Sequence, residues 1–192
     1  MTAALTRIVA FHDRVFAWID SAISSLLLPT AARLVFAGVL LMYFWRSGVT
    51  KLGDGLFGFV NLGAGTYVQM FPLKMEAVGY DPSALGFGLK LVALLGTWAE
   101  FILPLMIVIG FGTRLAALGM IGFVIVQSAT DIVGHHADAA TVGSWFDTAS
   151  DALIVDQRAF WIFLLLFLAL RGGGPLSVDY FLGIGRAKPQ ES

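Results

Sequence analysis

Not one cysteine occurs in the 192 residues of this chain. That absence excludes disulfide relays, sulfur carriage on a thiol, iron–sulfur ligation by this chain and thiolate zinc sites. Any redox role must then rest on a bound cofactor, a bound substrate or a partner subunit. Charge is scarce as well: 13% of the residues are Asp, Glu, Lys or Arg, against about 25% in an ordinary soluble domain. With a formal net charge of -1, the chain carries no electrostatic footprint for nucleic acid. A compact apolar leader is also missing. Arg7, Asp13, Arg14 and Asp20 interrupt residues 1–28, so no cleavable signal is expected there.

Apolar residues fill the space that charge leaves. They make up 58% of the chain, above the about 45 to 50% of soluble domains, and the excess has to be absorbed by lipid. The pattern predicts an all-α fold: a polytopic membrane four-helix bundle with an N-terminal interfacial amphipathic helix. Over residues 1–28, Ile8, Phe11, Val15, Ile19, Ala22 and Leu26 recur three or four apart, while Arg7, His12, Arg14, Asp20 and Ser24 fall elsewhere. Such a helix lies in the membrane interface rather than crossing it.

From residue 29 to 182 the chain reads as a membrane domain with spans at 30–49, 82–111, 113–130 and 157–170, followed by a polar tail at 183–192. About twenty residues at 1.5 Å rise cover about 30 Å of hydrocarbon. The fourth span is shorter, so it must tilt, thin the bilayer or gain length from the residues before it. Residues 51–80 are too apolar for a free linker and too broken by glycine for a span, which predicts a loop folded back onto the bundle. Asp81 as N-cap and Pro82 at the first helical position are expected to start the second span. Gly110, Gly112 and Thr113 allow only a tight turn, making spans two and three an antiparallel hairpin. Ala116, Gly119 and Gly122 offer the third span a small-residue face. Residues 131–156 carry five acids and no Lys or Arg, and read as a polar loop.

Orientation follows from basic residues near span ends. Arg7, Arg14, Arg33, Arg114, Arg171, Arg186 and Lys188 fall on one side, against Arg46, Lys51, Lys74, Lys90 and Arg158 on the other. Both termini are therefore expected in the cytoplasm.

Glu100 is the candidate catalytic residue. It is the one charge between Leu91 and Phe111, in a segment long enough to cross a bilayer, where an ionised carboxylate costs roughly 2 to 4 kcal/mol on insertion scales. Pro104 cannot donate to the carbonyl four residues earlier, so it frees the backbone oxygen of Glu100 itself. A carboxyl at that depth is suited to giving a proton to a quinone oxygen; equally, a protonated or paired Glu100 would fix helix packing.

Five further residues are candidates for cofactor binding. Tyr43, Trp45 and Trp98 are suited to stacking on a quinone ring, and equally to anchoring span ends at the interface. Arg46, with Lys51, offers a cation to an anion such as a sulfur oxyanion, or simply snorkels. Gln127 is a polar group on the third span near the outer face. No metal site is expected: His135 and His136 are adjacent, which on a helix points them about 100° apart, and a solvated loop explains them with Asp131 and Asp138. Gly174, Pro175, Ser177 and Asp179 read as a span terminator with a capped short helix.

A set of these residues carries a resemblance. Arg33 with Gly38, Gly48 and Lys51 closing the first span, Glu100, then Gly110, Thr113, Arg114, Ala116 and Ala117, and finally Gly174, Pro175, Ser177 and Asp179, resemble the DoxX family of four-helix bacterial membrane proteins over residues 31–182. The resemblance implies a multi-pass protein of the bacterial inner membrane. The family takes its name from a subunit of a thiosulfate:quinone oxidoreductase, and many members look like accessory subunits of redox complexes. It therefore implies a chain that binds quinone or anchors a redox protein subunit, with the bilayer as its solvent. The alternative is a non-catalytic scaffold recruiting a partner through its loops. A transport path is poorly served, since four spans with one central acid offer little lining.

Overall fold

A computed structural model describes residues 3–23 and 27–184. Of the expectations above, Ser24, Leu26, Arg186, Lys188, the side chain of Ala22 and the tail from residue 185 onward lie outside the described residues.

Among the described residues the fold is helical throughout, without strands. Helix α1, Ala3–Ile23, keeps Ile8, Phe11, Phe16 and Trp18 exposed. Its apolar surface is thus left free of the bundle core. Four helices are long and apolar enough to cross a membrane: α2 (Leu27–Val49), α5 (Phe87–Ile109), α6 (Thr113–Gly134) and α8 (Leu153–Arg171). Between α2 and α5 lie two short helices, α3 (Ala64–Met70) and α4 (Pro72–Ala77). A one-turn helix α7 (Ala139–Val142) precedes α8, and α9 (Val178–Phe181) follows it.

The core is one contiguous cluster. Phe36, Leu40 and Phe44 of α2 meet Ile107 of α5, Ala116, Ala117, Met120 and Val124 of α6, and Leu165 and Leu168 of α8. In lipid such helices associate by close packing rather than by escape from water, which favours small residues where backbones approach. The buried stripe on α6 is Thr113, Ala116, Ala117, Met120 and Val124, the 3.6-residue period of one helix face. Gly119 lies off that stripe yet approaches α5 closely, where a Cβ would stand 3.1 Å from Leu103; Gly122 has no neighbour within 4 Å. Only Ala116 of the expected small-residue face is buried in the bundle.

Helix boundaries differ from the sequence reading in three places. Asp81 does cap, accepting from Ser83 N at 2.8 Å, and bonds from the Ser83 hydroxyl and backbone N–H hold its carboxyl below the ordinary carboxylate range. The element it caps, however, is a single tight turn, Pro82–Ala84. Leu85 and Gly86 then run extended, and Gly86 becomes the N-cap of α5 at Phe87. Helix α6 continues past residue 130 through a wide π turn, Thr130–Gly134, and α8 begins with another, Leu153–Gln157. The fourth span gains its length from those preceding residues. A third wide turn, Ala37–Leu41, lies inside α2.

Gly110 (φ 75°) and Gly112 (φ 55°) turn the chain between α5 and α6. Both are in the left-handed region that only glycine enters freely, so three residues suffice for the hairpin. Residues 51–80 fold back against α5: Trp98 Nε1 donates to Phe59 O at 2.7 Å. Met70 lies against Gly96.

Candidate functional site

Glu100 faces inward from the middle of α5 and is 2% exposed. Its partner is Lys51, just beyond the end of α2, whose Nζ donates to Glu100 Oε1 at 3.0 Å. Lys51 also donates to the Ser47 hydroxyl at 2.7 Å and to Ser47 O at 3.2 Å, which uses all three of its N–H bonds. The Ser47 hydroxyl in turn donates to Glu100 Oε1 at 3.0 Å. Ser47 and Lys51 share a helix face because they are four residues apart. The segment that folds back from residue 51 holds Lys51 in place: Thr66 Oγ1 donates to Lys51 O at 2.7 Å, and Gly63 N donates to the same oxygen at 3.1 Å.

Both hydrogen bonds to the carboxylate fall on Oε1. Glu100 Oε2 is buried with no hydrogen-bond partner. Beside it is a cavity of about 250 Å³ lined by Ser47, Lys51, Glu100, Gln127, Thr130 and Asp131, with Gln69, Met70 and Phe71 as a roof. Gln127 bonds Tyr43 through Nε2 at 3.1 Å, and its Oε1 is likewise without a partner. Since the Tyr43 hydroxyl both donates and accepts, exchanging the amide's N and O keeps that bond. Gln127 thus offers the cavity either a donor or an acceptor.

A second ion pair, its arginine buried and its aspartate half-buried, borders the cavity. Arg158, 2% exposed, donates from Nη2 to Asp131 Oδ2 at 2.6 Å and from Nη1 to Ser128 Oγ at 2.9 Å. Its Nε has no partner. Neither Lys51 nor Arg158 is a snorkelling end group; each is turned inward to neutralise an acid.

Of the six residues singled out by sequence, Glu100 and Gln127 line the cavity. Tyr43 stands behind Gln127, its ring in edge contacts with Phe44 and Trp161 at centroid separations of 5.1 Å each. Trp45 sits at the α2–α5 contact, where Nε1 donates to Phe101 O at 3.2 Å, one residue past the carbonyl that Pro104 releases. Trp98 is bound to the loop between α2 and α3 through Phe59 O, and Arg46 is exposed. His135 Nε2 bonds Gln69 O at 2.9 Å, tying α6 to the cavity roof. Among the described residues, no group of three His, Asp or Glu is placed to hold a metal. Lys51 as the partner of Glu100 was not read from sequence, nor was Asp131 with Arg158; the available signal was a lone acid and an acid–base pair at helix ends.

The opposite end of the bundle is closed by another polar centre. Arg33 is buried and donates to Ile107 O at 3.0 Å, Val108 O at 2.5 Å, Gly173 O at 3.1 Å and Leu176 O at 2.8 Å. It satisfies carbonyls at the C-terminal end of α5, where a cation is favoured. Asp179 accepts from Gly112 N, Thr113 N and Thr113 Oγ1 at 2.7, 2.8 and 2.7 Å, capping α6. Ser177 caps α9 through Tyr180 N. The terminator motif therefore closes two helices rather than one.

Four apolar helices around these ion pairs define a polytopic helical membrane protein. The DoxX family model matches residues 28–133, more than half of the chain, and the protein belongs to the DoxX family. Comparison with curated proteins and with solved structures gives no match.

Proposed function

We propose that this protein is an accessory subunit of a quinone-linked membrane redox complex in the bacterial inner membrane, and that it holds a quinone head group in the cavity beside Glu100. The observation that supports this reading is Glu100 Oε2: a buried carboxylate oxygen without a partner, next to a cavity that also receives Gln127. A buried polar atom left unpaired costs about 1 to 3 kcal/mol, which a ligand hydroxyl or carbonyl would offset. Quinone reduction takes up two electrons and two protons per ring. The electrons come from a redox partner subunit; one proton comes from the Lys51 ammonium by way of the Glu100 carboxylate, and the second, with the proton that recharges Lys51, comes from solvent. On this reading Glu100 exchanges the proton and Gln127 bonds the head group, with Tyr43 orienting the amide.

A second reading has its own support. Leu56, Phe57, Trp145 and Phe146 are exposed on the loops at the outer end, a surface suited to recruiting a partner without chemistry in the spans.

Extraction of the protein, purified in mild detergent, separates the two. Stoichiometric quinone in the organic extract is expected, lost in Glu100→Gln. Because that change strands the Lys51 ammonium, the double variant Lys51→Met with Glu100→Gln is needed beside it: it restores neutrality yet cannot titrate. Quinone absent from the wild type, with full complex activity in the double variant, leaves the scaffold reading.

A further inference from the structure

At the end of the bundle opposite Glu100, a groove of about 490 Å³ is lined by Arg114, Leu115, Arg171, Gly172, Pro175 and Ile184, among others. Arg114 comes from the first turn of α6 and Arg171 from the last of α8. Gly172 has φ 78°, and a Cβ there would stand 3.3 Å from Arg114 Nε. Glycine at this position lets the Arg114 side chain lie against the backbone next to Arg171. Two like charges, both exposed, are thus brought to one groove, where an anion between them is attracted by both.

Among the described residues no such anion is supplied. Neither guanidinium has a hydrogen-bond or ion-pair partner among the described residues. Asp179 reaches the same groove, but its two oxygens are committed to Gly112 and to the Thr113 N–H and hydroxyl. Arg33 lies behind Asp179 and opposes its charge. Among the described residues the two arginines have no counter-charge.

We infer that this groove is a binding site for the phosphate of an anionic phospholipid. Arginine's planar fork matches two phosphate oxygens at once. The groove opens at the span ends, the depth of lipid head groups, and Leu115, Leu118 and Leu170 are exposed on the adjoining helix surfaces. An acyl chain continues along them while the phosphate sits between the guanidinium groups. A single snorkelling arginine is drawn weakly to an anionic surface; two arginines on one groove add bidentate contact to a single phosphate.

Thermal unfolding of the full chain in neutral detergent tests the inference, with phosphatidylglycerol, phosphatidylcholine or inorganic phosphate added. Phosphatidylglycerol is expected to raise the midpoint by on the order of 5 °C at saturation, phosphatidylcholine and inorganic phosphate by much less. Arg114→Gln with Arg171→Gln should abolish the phosphatidylglycerol shift and keep the midpoint seen in detergent alone, and Arg114→Lys with Arg171→Lys should retain part of it. Equal shifts from the two lipids, or an undiminished shift in the Gln variant, would overturn the site. A full shift from inorganic phosphate would overturn the lipid assignment in favour of a free anion. Should the double variant fail to fold, native mass spectrometry of the single variants reads the same question from the phosphatidylglycerol retained per chain.

Discussion

Gly48 lies flat against the ring of Phe101: a methyl group on Gly48 would stand 2.6 Å from two of the ring carbons. This contact sets the separation of α2 and α5 one residue from both Ser47 and Glu100. The geometry of the polar site therefore depends on an apolar one beside it.

Gly48→Ala should push the ring aside or part the helices, at roughly 1 to 3 kcal/mol. The measurement is the unfolding midpoint in detergent, alone and combined with Phe101→Leu. Partial recovery in the double variant is expected; a Gly48→Ala midpoint equal to wild type would show that the contact is slack.

Removing one member of the Lys51–Glu100 pair should be worse than removing both. Lys51→Met strands a buried carboxylate, a loss of about 3 to 5 kcal/mol for a broken buried pair, whereas Lys51→Met with Glu100→Leu leaves an apolar contact that lipid-surrounded helices accept. A double-mutant cycle on unfolding free energy reads the coupling directly. Additive effects would mean that the two groups do not stabilise one another.

Asp131→Asn should destabilise by about 2 kcal/mol or more, because Arg158 is buried and loses its one carboxylate partner. The exposed loop acid Asp151 is the control, where Asp151→Asn should change stability by less than about 0.5 kcal/mol. Equal midpoints for the two variants would place the Arg158 guanidinium in contact with water.

Cysteines at Ser144 and Ser192, introduced singly, start from a thiol-free chain. On the orientation proposed from Arg and Lys placement, a membrane-impermeant reagent on intact cells labels the first and spares the second. The reverse pattern would invert the topology.

Much of the architecture was legible because lipid imposes it. Apolar length predicts the spans, and the glycines at 110 and 112 predict the hairpin. Glu100 stood out because a lone acid in such a segment needs a reason. What the sequence concealed was pairing across distance: 49 positions separate Lys51 from Glu100, and at a span end a lysine looks the same whether it reaches for head groups or for a buried acid. Asp131 and Arg158 were hidden for the same reason. Reading them as loop and flank shortened both helices, since polar residues that turn inward let a helix continue past the point where hydropathy ends. The aromatic candidates show the converse. Tyr43, Trp45 and Trp98 read from sequence as ring-stacking groups or interface anchors; each also uses its polar atom on a neighbouring helix or loop.

Asp131 sits inside the wide turn that ends α6, and Arg158 directly follows the wide turn that opens α8. In a regular helix each residue advances the face by about 100°, and a wide turn withholds part of that advance. Deleting a single residue from either turn would leave every side chain's chemistry intact and still swing one charge away from the other. The pairing beside the cavity is encoded in residue count as much as in residue identity, so that single-residue insertions and deletions, rather than substitutions, are the changes it tolerates least.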